Sequence, residues 1–273
     1  MKSSIKTLAA ALSAVAFVST AYAEMTAAEV DRLGKDLTPF GAEKAGSKDG
    51  SIPAWDGGLS KPPAGWAPEQ GYVDPFASEK PLFVITAQNM EQYKDKLSPG
   101  LMAMMKKYPG TFNVPVYPSH RTYAVPQSVY DATKANAAKV KSNGEGIENY
   151  NQPSFRPFPI PKNGVEVMYN HKNWWYGGYT RCGDWAPTRS NGEWYRVGFC
   201  EEVIQGQNFD QPQKNNIFSF YGWYDAPPTL VGTIYLVIDP IDYTVANRQA
   251  WIYNAGQRRV RRAPDVAFDN IDD

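Results

Sequence analysis

The chain has 273 residues, equal numbers of basic and acidic side chains (28 each), 14% aromatic residues, 22 glycines and 22 prolines. Zero formal charge excludes the footprint of a nucleic-acid binder, whose affinity comes mainly from neutralising phosphates. So many turn residues and aromatics, with little aliphatic bulk, exclude a helical bundle and favour a β-rich body with extended segments.

The first element is a leader. Lys2 and Lys6, the uncharged run from Leu8 to Val18, and Ala21-Tyr22-Ala23 before Glu24 form the three parts of a secretory signal over 1–23. Its apolar run is too short for a membrane anchor, so an exported, soluble protein starting at Glu24 is expected. The next stretch, 24–161, reads as a helix- and loop-rich region. Thr26-Ala27-Ala28-Glu29 is a capping box opening a short helix to Leu33. An irregular surface segment follows to about Pro81, dense in Gly and Pro. Thr86 is expected to cap "AQNMEQYKDKL", and Ser98-Pro99 to start a helix whose stripe is Leu101, Met104, Met105 and Tyr108. "FNVPVYPSHRTYAVP" is extended, "QSVYDATKANAAKVK" is a third helix, and 144–161 with "RPFPIP" is expected to be a polyproline-like crossover.

Residues 162–273 read as an antiparallel β meander of the same domain. "GVEVMYNHKNWWYGGY", "EWYRVGFCEEVIQ", "NNIFSFYGWY", "LVGTIYLVID", "RQAWIYN" and "QRRVRRA" are the predicted strands. With Asn191-Gly192 as a two-residue turn, Cys182 and Cys200 lie almost opposite, and in an oxidising compartment they are expected to form a disulfide. With Ala255-Gly256 as the next turn, Tyr253 faces Arg258, Trp251 faces Val260 and Gln249 faces Arg262. The four arginines of "RRVRR" are then divided between two faces of a strand.

Long strings resemble one family. "LGKDLTPFGAEKAGSKDGSIPAWDGG", "DPFASEKPLFVITAQNMEQYKDKL", "YPGTFNVPVYPSHRTYAVPQSVYDAT", "PFPIPKNGVEVMYNH" and "AWIYNAGQRRVRRAPDVAFDN" are similar to the exported bacterial proteins grouped as domain of unknown function 1329, often described as outer-membrane lipoprotein-sorting-like. The resemblance implies a periplasmic location and an α+β fold, with a curved antiparallel sheet forming an incomplete, lipoprotein-carrier-like barrel and helices on its concave face. Relatives are typically longer, so the chain is expected to be a short form covering their N-terminal part. No established activity comes with the resemblance.

Catalytic chemistry finds no pattern. His120 and His171 sit in no nucleophile, metal or triad string, and Glu166, Glu201, Glu202, Asp239 and Asp242 have no acid–base spacing. No catalytic residue, cofactor or metal is assigned. The aromatic content points instead to a greasy or stacking wall. Its expected members are Tyr169, Trp174, Tyr176, Trp194, Phe218, Phe220, Trp251 and Tyr253, with Arg258 and Arg262 facing a headgroup and Leu101, Met104 and Met105 as a soft lid. The expected function is non-enzymatic binding or trafficking of a lipid, lipoprotein or other hydrophobic molecule. An outer-membrane protein or inner-membrane transporter is the implied partner, and nucleic acid is not. Two alternatives are an interaction module pairing through an exposed sheet edge and an aromatic carbohydrate-binding module.

Overall fold

A capping box opens the described chain, which comprises residues 24–71, 73–142, 146–150 and 155–266 of this computed structural model. The expected leader lies outside the described residues. Thr26 Oγ accepts from the Glu29 N–H (3.2 Å) and the Glu29 carboxylate accepts from the Thr26 N–H (2.8 Å), so α1 (Ala27–Arg32) starts where the T-x-x-E pattern puts it. The chain then forms two compact units, one of residues 32–130 and one of 24–31 with 131–266. The division falls at Tyr130/Asp131, about thirty residues before the change of texture read near Pro161.

In the 32–130 unit, β1 (Phe83–Ile85) and β2 (Val114–Val116) make a short antiparallel ribbon. Ser98 Oγ accepts from the Leu101 N–H (3.2 Å), and Pro99 takes the first turn of α2 (Pro99–Lys107), where its missing N–H leaves nothing unpaired. At Thr86 the expected cap is reversed. The Thr86 N–H donates to Asn89 Oδ1 (2.7 Å), and the chain beyond winds as a 3-10 helix, Met90–Lys96. The Gly- and Pro-rich stretch is pinned by "SHRTY": the Arg121 guanidinium donates to the carbonyls of Glu43 (2.8 Å) and Lys44 (3.3 Å). Gly58 closes the same contact in the left-handed region (φ 71°), where a Cβ would lie 2.6 Å from the Tyr123 carbonyl oxygen.

Helix α3 (Gln127–Asn136) begins in the 32–130 unit and leads, in the other unit, to the paired β3 (Lys141–Ser142) and β4 (Ile147–Glu148). The expected crossover over 144–161 is corrected here, among the residues of it that are described. Ile147, Tyr150, Phe155 and Phe158 are buried with Val140, Ile217 and Ile241, and Pro157 and Pro159 are buried beside them, so the stretch is part of the core. "GVEVMYNHK" is also corrected, from strand to helix α4 (Gly164–Lys172). The Val-Glu-Val alternation imitates a strand, but Asn163 Oδ1 accepts from the Glu166 N–H (3.0 Å), and buried Glu166 accepts from the Lys162 N–H (2.6 Å). An asparagine capping box therefore outweighs the alternation.

Six strands then follow in order: β5 (Gly178–Trp185), β6 (Val197–Ile204), β7 (Phe218–Ala226), β8 (Ile234–Asp239), β9 (Gln249–Asn254) and β10 (Arg259–Arg262). They form one antiparallel meander in sequence order, not closed into a barrel. Cys182 lies opposite Cys200 and is bonded to it, with 4.0 Å between their α-carbons. The hairpin loop has three residues rather than two, since Arg189 and Glu193 close it and Gly192 takes φ 85°. That one-residue slip turns an offset cysteine pair into a direct one. The last hairpin slips by two: Arg259 faces Asn254 and Arg262 faces Trp251, which leaves Arg258 in the turn at φ 51°. An even slip preserves the alternation, so Arg259, Arg261 and Arg262 remain on the faces expected, and only Arg258 leaves the strand.

Candidate functional site

The pairing registers sort the sheet's side chains onto two faces, because alternate residues point to opposite sides. One face is packed. Val203, Val237 and Ala250 are buried there, Ala263 and Val266 pack on the last two, and Phe218 joins this cluster to the one around Ile217 and Ile241. Phe199 and Phe220 stack on the same face at 6.1 Å, with Tyr224 against Phe199 at 4.9 Å. Their rings use the space above Gly222, where a Cβ would lie 2.4 Å from Phe199 Cζ.

The opposite face is open. Along β7 and β8, Ile204, Phe209, Tyr221, Leu236 and Ile238 line a trough of about 800 Å³, with Thr180, Glu202 and Ser219 on its rim. Tyr221 (41% exposed) and Leu236 (39%) meet solvent although a sheet interior would bury such residues. The trough continues both ways. Through Ser219 and Ile238 it runs into an end of about 410 Å³ where Gln213, Lys214, Asn216, Asn247 and Gln249 stand beside Pro240 and Ala246, and through Tyr221 into an end of about 530 Å³ holding Trp223, Val231 and Ile234.

Buried polar contacts hold the strands beneath. Fully buried Asp239, at the end of β8, accepts from Arg248 Nε (2.7 Å) and from the Tyr243 hydroxyl (2.5 Å), while Lys172 Nζ stands 4.3 Å over the Tyr243 ring. Burial, then the bond to Asp239, pushes the Tyr243 phenol well above its ordinary pKa, and burial pulls Lys172 down. Gln205, with no exposed surface, ties the α4–β5 connection: Oε1 accepts from the N–H groups of Tyr176 and Gly177, and Nε2 donates to the Trp174 carbonyl.

The expected wall residues are therefore dispersed. Trp251 and Tyr253 belong to the open face, where the Arg262 guanidinium covers the Trp251 ring at 5.3 Å in place of the expected Arg258–Tyr253 contact. Phe218 and Phe220 project on the packed face, although Phe220 also contributes to the trough's lining, and Tyr169 packs against core Phe158. Trp174 and Tyr176 stand together at 5.2 Å beside the sheet, Trp194 is 65% exposed in the β5–β6 hairpin, and Arg258 lies in a turn. Of the expected lid, Met105 is buried in the core of its own unit with Ile85 and Met90, whereas Met104 is exposed and Leu101 half-buried. Sequence reasoning missed Ile204, Phe209, Tyr221, Leu236 and Ile238. In "FSFYGWY" aromatics fill both phases of the strand, which hides the open face.

His120 stacks on Phe76 at 3.8 Å and pairs with Glu79 at 2.8 Å, and His171 sits in the last turn of α4. Among the described residues no group of His, Cys, Asp and Glu is placed to hold a metal ion, and no helix is long and apolar enough to cross a membrane.

Fold and site together define a mixed helix-and-sheet protein whose unclosed antiparallel sheet carries an apolar trough. The chain belongs to the family described as "Protein of unknown function (DUF1329)", which matches residues 84–273. It is also similar to "Uncharacterized protein PA3922" of Pseudomonas aeruginosa, 46% identical over 256 residues, which are 90% of this chain and 55% of that relative. The chain thus spans little more than half the relative's length. No solved structure matches it.

Proposed function

We propose that the protein is an exported, non-catalytic binding or escort protein for a lipid, lipoprotein or other hydrophobic molecule, whose apolar part lies in the trough along β7 and β8. The observation that carries this reading is the open apolar trough of about 800 Å³, within the range of about 300–1,000 Å³ usual for small-molecule sites. An acyl chain gains about 0.8 kcal/mol per methylene withdrawn from water, so apolar side chains left in solvent are a ready receptor for it. The trough grades into an amide-lined end, which suits an amphiphile with its polar group at that end. The likeness to lipoprotein carriers, with a periplasmic location and a membrane transporter or outer-membrane protein as partner, belongs to the same reading. It is supported by the signal-like leader sequence and the open antiparallel sheet.

Displacement of a fluorescent fatty-acid probe tests it, with native mass spectrometry of lipids that co-purify. Leu236→Asp puts a carboxylate against roughly four methylenes of a bound tail, worth about 3 kcal/mol or about a hundredfold in affinity. Because Leu236 is already 39% exposed, the fold should be unaffected. No binding of any amphiphile, or equal binding by Leu236→Asp, would overturn the reading.

A further inference from the structure

The last strand of the sheet is an arginine-lined edge. β10 pairs with β9 and, among the described residues, with no other strand. Arg258, Arg259, Arg261 and Arg262 are all exposed, and among the described residues none of them forms an ion pair; Arg262 meets only the Trp251 ring. Val260 between them is 65% exposed. The Ala263 N–H donates to the Ala250 carbonyl (2.9 Å), so by alternation Arg261 and Arg259 turn their backbone groups towards β9. Val260 and Arg262 therefore present their N–H and C=O outwards, where no strand among the described residues pairs with them.

We propose that this edge is a docking site for an extended acidic segment of a partner protein, added antiparallel to β10. The register dictates what the segment must carry. Arg259 and Arg261 project on the packed face of the sheet, Val260 and Arg262 on the open face. The incoming residues opposite Arg262, Arg261, Val260 and Arg259 should thus read, from N- to C-terminus, acidic–acidic–apolar–acidic. A second copy of this chain is disfavoured, because β10 against β10 sets arginine opposite arginine. A lipid surface is disfavoured too: the charges divide between both faces, and a bilayer can lie against only one, whereas a strand in the sheet plane meets both.

The test uses the whole chain and a labelled Thr-Asp-Glu-Val-Glu-Thr peptide, read by fluorescence anisotropy. Three surface ion pairs predict about tenfold tighter binding than for Thr-Lys-Lys-Val-Lys-Thr, falling in high salt. The double substitution Arg259→Glu with Arg261→Glu should reverse that preference, with unchanged circular dichroism. N-methylation of the peptide's Asp and Val, whose N–H groups would point at β10, should weaken binding by at least about tenfold without altering charge. Equal binding of the methylated peptide would overturn strand addition. So would a preference for phosphatidylglycerol vesicles over the peptide, or self-association by sedimentation that Arg261→Glu abolishes.

Discussion

Replacing Asp239 by alanine should destabilise the sheet more than any exposed substitution in it. The carboxylate is 1% exposed and is the shared acceptor for Arg248 Nε at 2.7 Å and the Tyr243 hydroxyl at 2.5 Å. Removing it takes away the acceptor that the Arg248 guanidinium and the Tyr243 phenol share, and breaking a buried pair from one side costs about 3–5 kcal/mol. The lower figure applies, because the Arg248 side chain is 22% exposed and can turn to water. In a chain of this size about 3 kcal/mol corresponds to a fall in Tm of about 6–12 °C. Calorimetry or urea titration reads it directly. Asp239→Asn should lose less, since its amide oxygen still accepts from Tyr243, and Asp239→Leu with Arg248→Met should recover most of the loss by removing both charges. A cost below about 1 kcal/mol for Asp239→Ala, or no recovery in the double variant, would refute the argument.

Two further outcomes follow from other contacts. The Cys182–Cys200 bond spans 18 residues, so Cys182→Ala with Cys200→Ala, or reduction of the native protein, should cost about 3 kcal/mol in urea titrations on the chain-entropy account. Glu29 is held down to about 2 by Lys162 and the Thr26 N–H, well below its ordinary 4.5. A depressed carboxyl contributes stability above its unfolded pKa and loses it as pH falls towards the folded value. Lys162→Gln should therefore move acid unfolding upward within the window between about 4.5 and about 2, by a modest amount because the pair is partly exposed; an unchanged acid limb would contradict the assignment.

Local chemistry decided much of this protein before any tertiary contact. T-x-x-E fixed the start of α1 and Ser98-Pro99 that of α2, because each supplies its own acceptors or removes an unpaired donor within four residues. The strands from β6 to β10 and the facing of Cys182 on Cys200 came from alternation and turn residues, and the hairpin parity placed Arg259, Arg261 and Arg262 on their faces despite a two-residue slip that moved Arg258 into the turn. Tertiary structure decided the rest. Whether 144–161 became linker or core depended on Val140, Ile217 and Ile241 arriving around its aromatics, whereas the helix at "GVEVMYNH" was set by the local Asn163 and Glu166 cap that the Val-Glu-Val alternation obscured. The site shows the limit most clearly: Phe218 and Phe220 are covered while Tyr221 and Leu236 are open. Alternation in a strand fixes which residues share a face, but which face is covered depends on chain elements distant in sequence, and only the assembled fold brings them there.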